Sequence, residues 1–302
     1  MQKILKISHV SSAMPLLETI SNSQASEDCE VRSVFYNQSM NLTNQALDET
    51  DIVHIHGLSM LEDTQILELI NHRLNNNKPV VFSLFSGEAC NLEELGKTKT
   101  ELLQNSSILF LQDTSLLSHL ESFENWYWSS MPMSAAPTNV DDSLLENKKE
   151  FNLLYLDNGK SPDFEKELSA VIEKLNAEGF QFNLSTQTQT DINTLGDALK
   201  TVDILIENPA SPAISYASLL AMSLGKTVLA NIPEETAALT KQFEYSPILK
   251  TDAENLYYRL SSLAKQPKSL RDFGRRGVQY IESFHNPNEV CQGYLEFYRQ
   301  FA

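Results

Sequence analysis

Two histidines, His54 and His56, stand two residues apart in the apolar run Ile52–His56. On an extended strand that spacing turns both side chains to one face, and imidazoles sharing a face can ligate a metal. No third ligand stands at a useful sequence spacing, so no metal centre is expected. His54 reads as a core histidine with satisfied ring nitrogens. His56 ends its run, where either a role in a binding crevice or simple packing would suit it. Gly87 follows the next apolar run, and a glycine at a strand end lets backbone N–H groups approach a phosphate. Glu88 beside it reads as a solvated loop residue, and the pair Glu234 and Glu235 as carboxylates stabilising a helix N-terminus. Trp126 and Trp128 are expected to pack rather than to stack on a ligand. The chain has no G-x-S-x-G elbow, Walker loop, G-x-G-x-x-G fingerprint or H-E-x-x-H helix.

The elements that must position these residues alternate. Strands are expected at Ile4–Ile7, Val31–Tyr36, Ile52–His56, Val80–Leu84 and Ile108–Leu111, with amphipathic stretches at Leu61–Asn75 and Leu116–Phe123. Nearly continuous apolar strands alternating with helices require a parallel sheet covered on both faces. The pattern breaks across Ser129–Lys149, which carries prolines, small residues and charge without an apolar period. It resumes with strands at Phe151–Leu156, Phe180–Ser185, Ile204–Ile206, Thr227–Ala230 and Pro247–Leu249. The helices expected there are Phe164–Glu178, Ile192–Lys200, Tyr216–Leu224, Glu234–Gln242, Ala253–Lys265 and Leu270–Ser283. A last amphipathic helix is expected to bury Val290, Tyr294, Phe297, Tyr298 and Phe301 on one face. The fold class is therefore α/β with two Rossmann-like lobes. The boundaries are 1–135, a linker at 136–150, a second lobe at 151–285 and a final helix at 286–302 returning to the first lobe.

Five blocks in this order are similar to GT-B sugar-nucleotide glycosyltransferases of the retaining, glycogen-synthase-like family. They are DIVHIHG from Asp51, KPVVFSLFSGEACN from Lys78, SILFLQDTSLLSHL from Ser107, SYASLLAMSLGKTVLANIP from Ser215 and FGRRGVQYIESFHNPNEVCQGYLEFY from Phe273. The resemblance implies a cleft histidine at His56, acting in catalysis, and a glycine loop at Gly87. It further implies donor or phosphate contacts from Lys160 and from the helix start at Ser215 and Tyr216. The family generally needs no metal or other cofactor; the ligand it implies is a nucleotide sugar.

Two departures affect the same ligand. Leu220 stands where the family carries a donor-contacting glutamate, and Pro212 where its first glutamate falls. Asp157 and Asn158 replace the Gly-Arg that neutralises the donor diphosphate. Leucine cannot accept a hydrogen bond, and an aspartate beside phosphates is unfavourable where arginine would make charge-assisted bonds. The expectation is a degenerate donor site. The protein then serves as a non-catalytic partner or scaffold in a glycosylation or surface-polysaccharide pathway, bound to an active glycosyltransferase or to a modified client. The alternative is an active transferase with a rewired site.

Composition limits the rest. With 40 acidic and 23 basic residues the formal charge is −17, which disfavours nucleic acid and anionic membranes as partners. The basic cluster Lys265, Lys268, Arg271, Arg275 and Arg276 reads as a solvated helix face. Three separated cysteines, the absence of a signal core and the absence of a spanning stretch lead to the expectation of a cytoplasmic protein.

Overall fold

Strands of two to eight residues, most of them rich in valine, isoleucine and leucine, pair into two all-parallel sheets, each crossed by helices whose apolar stripes cover it. The structure, a computed structural model, describes residues 4–24, 29–36, 47, 49–84, 96–112, 123–136, 148–157, 162–188, 192–209, 214–232 and 244–301. The chain divides into two compact units, Met1–Met133 with His285–Ala302, and Ser134–Phe284.

The first unit contains β1 (Leu5–Ser11), α1 (Met14–Gln24), β2 (Cys29–Phe35), β3 (Ile52–His56), α2 (Thr64–Asn75), β4 (Val80–Leu84), α3 (Gly96–Gln104), β5 (Ile108–Leu111) and β6 (Trp126–Trp128). The second contains β7 (Glu150–Asp157), α4 (Pro162–Ala177), β8 (Gln181–Thr188), α5 (Ile192–Lys200), β9 (Ile204–Glu207), α6 (Tyr216–Ser223), β10 (Thr227–Ala230), β11 (Leu249–Lys250), α7 (Leu256–Lys265) and α8 (Lys268–Phe284). The last helix, α9 (Pro287–Tyr298), belongs to the first unit.

The sheet orders are β2-β1-β3-β4-β5-β6 and β8-β7-β9-β10-β11. Counted from the first strand of each unit, both follow the doubly wound order 2-1-3-4-5, in which the chain reverses direction between the first and third strands. The switch points thus lie between β1 and β3 and between β7 and β9. Register pairs Ser11 with His56 and Leu156 with Glu207, so His56 and Glu207 end equivalent strands.

Several boundaries differ from expectation. Strand β1 continues past Ile7 to Ser11 because Ile7, His9 and Ser11 keep the period of two on one face. Helices α1 and α3 and edge strand β6 were not expected. Asp63 divides the expected Leu61–Asn75 helix: its Oδ1 accepts from the N–H groups of Gln65 (2.8 Å) and Ile66 (3.4 Å), capping α2, and a 3-10 turn precedes it. Helix α7 starts at Leu256, not Ala253. Residues 116–122 and the expected Glu234–Gln242 helix lie outside the described residues. In α9 the buried residues are Cys291, Tyr294, Leu295 and Tyr298, while Phe301 is exposed and Val290 and Phe297 are half-buried. The expected stripe is therefore rotated, because the sheet face beneath α9 offers the tyrosines polar partners. Four of the five clustered cations are exposed and Arg271 is half-buried. Among the described residues no helix is long and apolar enough to cross a membrane.

The two faces of the first sheet differ chemically. One is apolar, formed by Val10, Val53, Ile55, Phe82, Leu84 and Leu109 with the residues covering them. The opposite face carries His9, His54, His56 and Ser83 beside Phe110, with Tyr294 and Tyr298 of α9 against them. In the second unit α6 and α8 meet at very short range: a Cβ on Gly274 would stand 2.0 Å from the Gly225 carbonyl oxygen, and one on Gly277 would stand 3.2 Å from Met222. Gly225 itself has φ 70°, ending α6 in the left-handed region that glycine adopts without strain.

Candidate functional site

At the first switch point three imidazoles meet. His9 on β1 and His54 on β3 are register partners, and His56 follows on the same face. The rings of His54 and His56 lie 3.9 Å apart between centroids, and His9 lies 5.1 Å from His56. All three residues are at most 1% exposed. His9 Nε2 meets Gln24 Oε1 of α1 at 2.6 Å, and His9 Nδ1 meets His56 Nε2 at 2.9 Å. Neutral rings satisfy both contacts when His9 Nε2–H donates to Gln24 and His56 Nε2–H donates to His9 Nδ1, an assignment made from the network. His54 bonds the Tyr298 hydroxyl through Nδ1 and Ser83 Oγ at 2.8 Å through Nε2. Burial pushes the His9 pKa down to about 4; burial, and then the neighbouring rings, drive His54 and His56 well below the usual histidine value.

This placement corrects one expectation and adds the surroundings of His56. The fold supplies the third histidine that sequence spacing did not reveal. And His56 lies within the core although it ends its strand, so its removal disturbs packing as well as any chemistry. The signal for His9 was the alternation Ile7, His9, Ser11, which continues β1 through residues that look polar. His54 is a core histidine with both ring nitrogens satisfied, as expected.

At the second switch point the equivalent strand end holds a carboxylate. Glu207 is 4% exposed, and its Oε1 accepts from Ser215 Oγ. Ser215 caps α6, its Oγ accepting from the Ser218 N–H at 3.1 Å. The carboxyl group therefore sits at a helix N-terminus, where backbone N–H groups favour negative charge. Burial raises its pKa and the bonds to Ser215 and Ser218 oppose that rise. Asn208, next in sequence, donates to the Tyr155 hydroxyl at 3.1 Å and to Asp157 Oδ1 at 3.5 Å, bringing the end of β7 to the same place. Tyr216 is buried at the start of α6, and burial pushes its hydroxyl up to about 12. Leu220 is half-buried on α6. Sequence reasoning missed Glu207 because it ended the strand at Ile206. The acidic residue closing the apolar run Ile204–Ile206 was the available signal.

The structure thus brings together Ser215, Tyr216 and Asp157 around Glu207. It places His56 in the other unit, while Gly87, Lys160, Asn158 and Pro212 lie outside the described residues. Trp126 and Trp128 pack on the apolar core of the first unit, as half-buried residues of edge strand β6.

No family model and no curated protein sequence matches the chain. Solved structures do resemble it. Sucrose-phosphate synthase from Thermosynechococcus elongatus superimposes with a TM-score of 0.59 at 11% identity, over 98% of this chain and 98% of that one. S. aureus MnaA, in a co-structure with UDP, gives 0.57 at 12% identity, over 99% and 98%. A variant of S. aureus TarM in complex with fondaparinux, alpha-GlcNAc-glycerol and UDP gives 0.56 at 10% identity, over 82% of this chain and 55% of TarM, so the chain spans about half the length of that protein. With its two doubly wound parallel sheets, the chain has the GT-B glycosyltransferase fold.

Proposed function

We propose that the protein is a glycosyltransferase-like, non-catalytic member of a glycosylation or surface-polysaccharide pathway, acting as a partner of an active transferase or of a client. The observation that carries this reading is the buried Glu207 carboxyl group held by Ser215 at the start of α6. The family resemblance of the sequence implies donor phosphates at that helix start. A carboxylate already seated there competes for the same N–H groups and repels a diphosphate, and Asp157 adds a second acidic group. Leu220 removes the acceptor that a donor hydroxyl would need.

The test is a transfer and hydrolysis assay of the purified full chain with UDP-, GDP- and ADP-sugars, alongside Leu220→Glu. No turnover by either protein is the expected result, since Leu220→Glu restores one acceptor and leaves the diphosphate facing Glu207. Wild-type transfer that disappears in Glu207→Gln would overturn the reading and make Glu207 a working part of a rewired donor site.

A further inference from the structure

We propose that His9, His54 and His56 form a buried site for a zinc-class divalent cation in the first unit. Each histidine offers one ring nitrogen, and these three atoms lie within 4.8 Å of one another. The closest pair, His9 Nδ1 and His56 Nε2 at 2.9 Å, face each other across one shared proton. A metal ion takes the place of that proton, His56 passing to the neutral tautomer with its proton on Nδ1, and the pair opens slightly, since nitrogens bound to one zinc at 2.0–2.1 Å stand somewhat over 3 Å apart. His54 joins by giving up one of its two hydrogen bonds and keeping the other.

The groups around His9 and His54 match what a ligating histidine needs. A metal-bound imidazole donates its remaining N–H to an oxygen, which fixes ring orientation. His9 would keep its bond to Gln24 Oε1, and His54 its bond to either Ser83 Oγ or the Tyr298 hydroxyl. These partners come from α1, β4 and α9, so three elements already orient the rings. Burial keeps the imidazoles neutral, the form that ligates. Gln24 Nε2 is a buried donor on the Tyr298 side of the cluster, able to serve an oxygen ligand in the fourth position. Three imidazoles without a thiolate suit zinc, cobalt or nickel rather than calcium or magnesium, which take oxygen ligands.

Because the cluster is buried, the test loads metal during folding. The full chain is unfolded in guanidinium chloride with EDTA, refolded with ZnCl2 or CoCl2 or with EDTA alone, and freed of excess metal by gel filtration. The expected result is about one Zn2+ per chain by elemental analysis, visible d–d absorption of four-coordinate Co2+, and a Tm above that of the EDTA-refolded protein. His9→Gln and His54→Gln should each lose the metal and the absorption, while His285→Gln, which changes a buried histidine outside the cluster, should keep both. Should the cluster variants fail to fold, the wild-type Tm decides, because binding to the native state alone raises it with metal concentration. Wild-type protein that refolds with no bound metal and an unchanged Tm would overturn the proposal. So would equal metal loss in His285→Gln and a folded His9→Gln.

Discussion

Strands β3 and β9 hold the same position in sheets of the same order, yet they end on opposite chemistry. His56 closes β3 inside a network of neutral rings covered by α1 and α9, whereas Glu207 closes β9 at the N-terminus of α6. The difference lies in the covers. In the first unit, α9 brings Tyr294 and Tyr298 over the strand end, and a polar core forms in which every described histidine nitrogen contact is to a neutral group. In the second, α6 starts at the strand end with Ser215 between the two: its hydroxyl accepts from the Ser218 N–H and donates to the Glu207 carboxyl group. One topology therefore yields a packed polar core in one unit and a helix start bearing a buried carboxyl group in the other.

Removing a cover should have the largest effect. Deletion of Asn286–Ala302 strips Cys291, Tyr294, Leu295 and Tyr298 from the first unit, at roughly 1.5–3 kcal/mol per large side chain. Calorimetry should show Tm lowered by at least about 10 °C; an unchanged Tm would mean that α9 does not hold the histidine face together.

The next effect is on the geometry of α6. Gly274→Ala drives a methyl group into the Gly225 carbonyl, 2.0 Å from the ideal Cβ position, and should cost about 3 kcal/mol in denaturant unfolding. A neutral substitution would show that α6 and α8 are less tightly fixed than described.

Acid should separate the two strand ends by sign. In metal-free protein, His9 and His285 have folded pKa values of about 4 against an ordinary 6.5. The unfolded chain then binds more protons between those values, so stability is full above pH 6.5 and falls as pH drops to about 4, by roughly 3 kcal/mol per histidine. Glu207 runs the other way: its raised pKa gives stability that is full below 4.5 and declines as pH rises. Comparing wild type with His9→Gln and with Glu207→Gln across pH 4–7 reads both slopes. Slopes of the same sign at the two sites would break the contrast.

Leu220→Glu should have the smallest effect, a loss of about 1 kcal/mol, because Leu220 is only half-buried. A gain in stability there would indicate that α6 still faces a group able to pair with a carboxylate.

The alternation of apolar runs made most strands legible, and Ile52–His56, Val80–Leu84, Ile108–Leu111 and Thr227–Ala230 stand where that pattern puts them. What escaped was polar residues continuing a strand. His9 and Ser11 look like the start of a loop, and only the cover from α1 and α9 makes them interior. Glu207 escaped for the same reason: a charged residue after three aliphatic ones reads as a strand's exit, and the cap from Ser215 that buries it comes from eight residues later. The helix carrying Leu220 was legible, but the carboxylate at its N-terminus was a tertiary fact.

The central claim is that the Glu207 carboxyl group held by Ser215 at the start of α6 keeps a donor diphosphate from binding there. Isothermal calorimetry of UDP and a panel of UDP-, GDP- and ADP-sugars against the full chain measures this directly. The account predicts no saturable heat at millimolar ligand. Saturable binding with a Kd of about 1 μM or tighter, equivalent to roughly 8 kcal/mol, and lost when Ser215 is replaced by alanine, would contradict it.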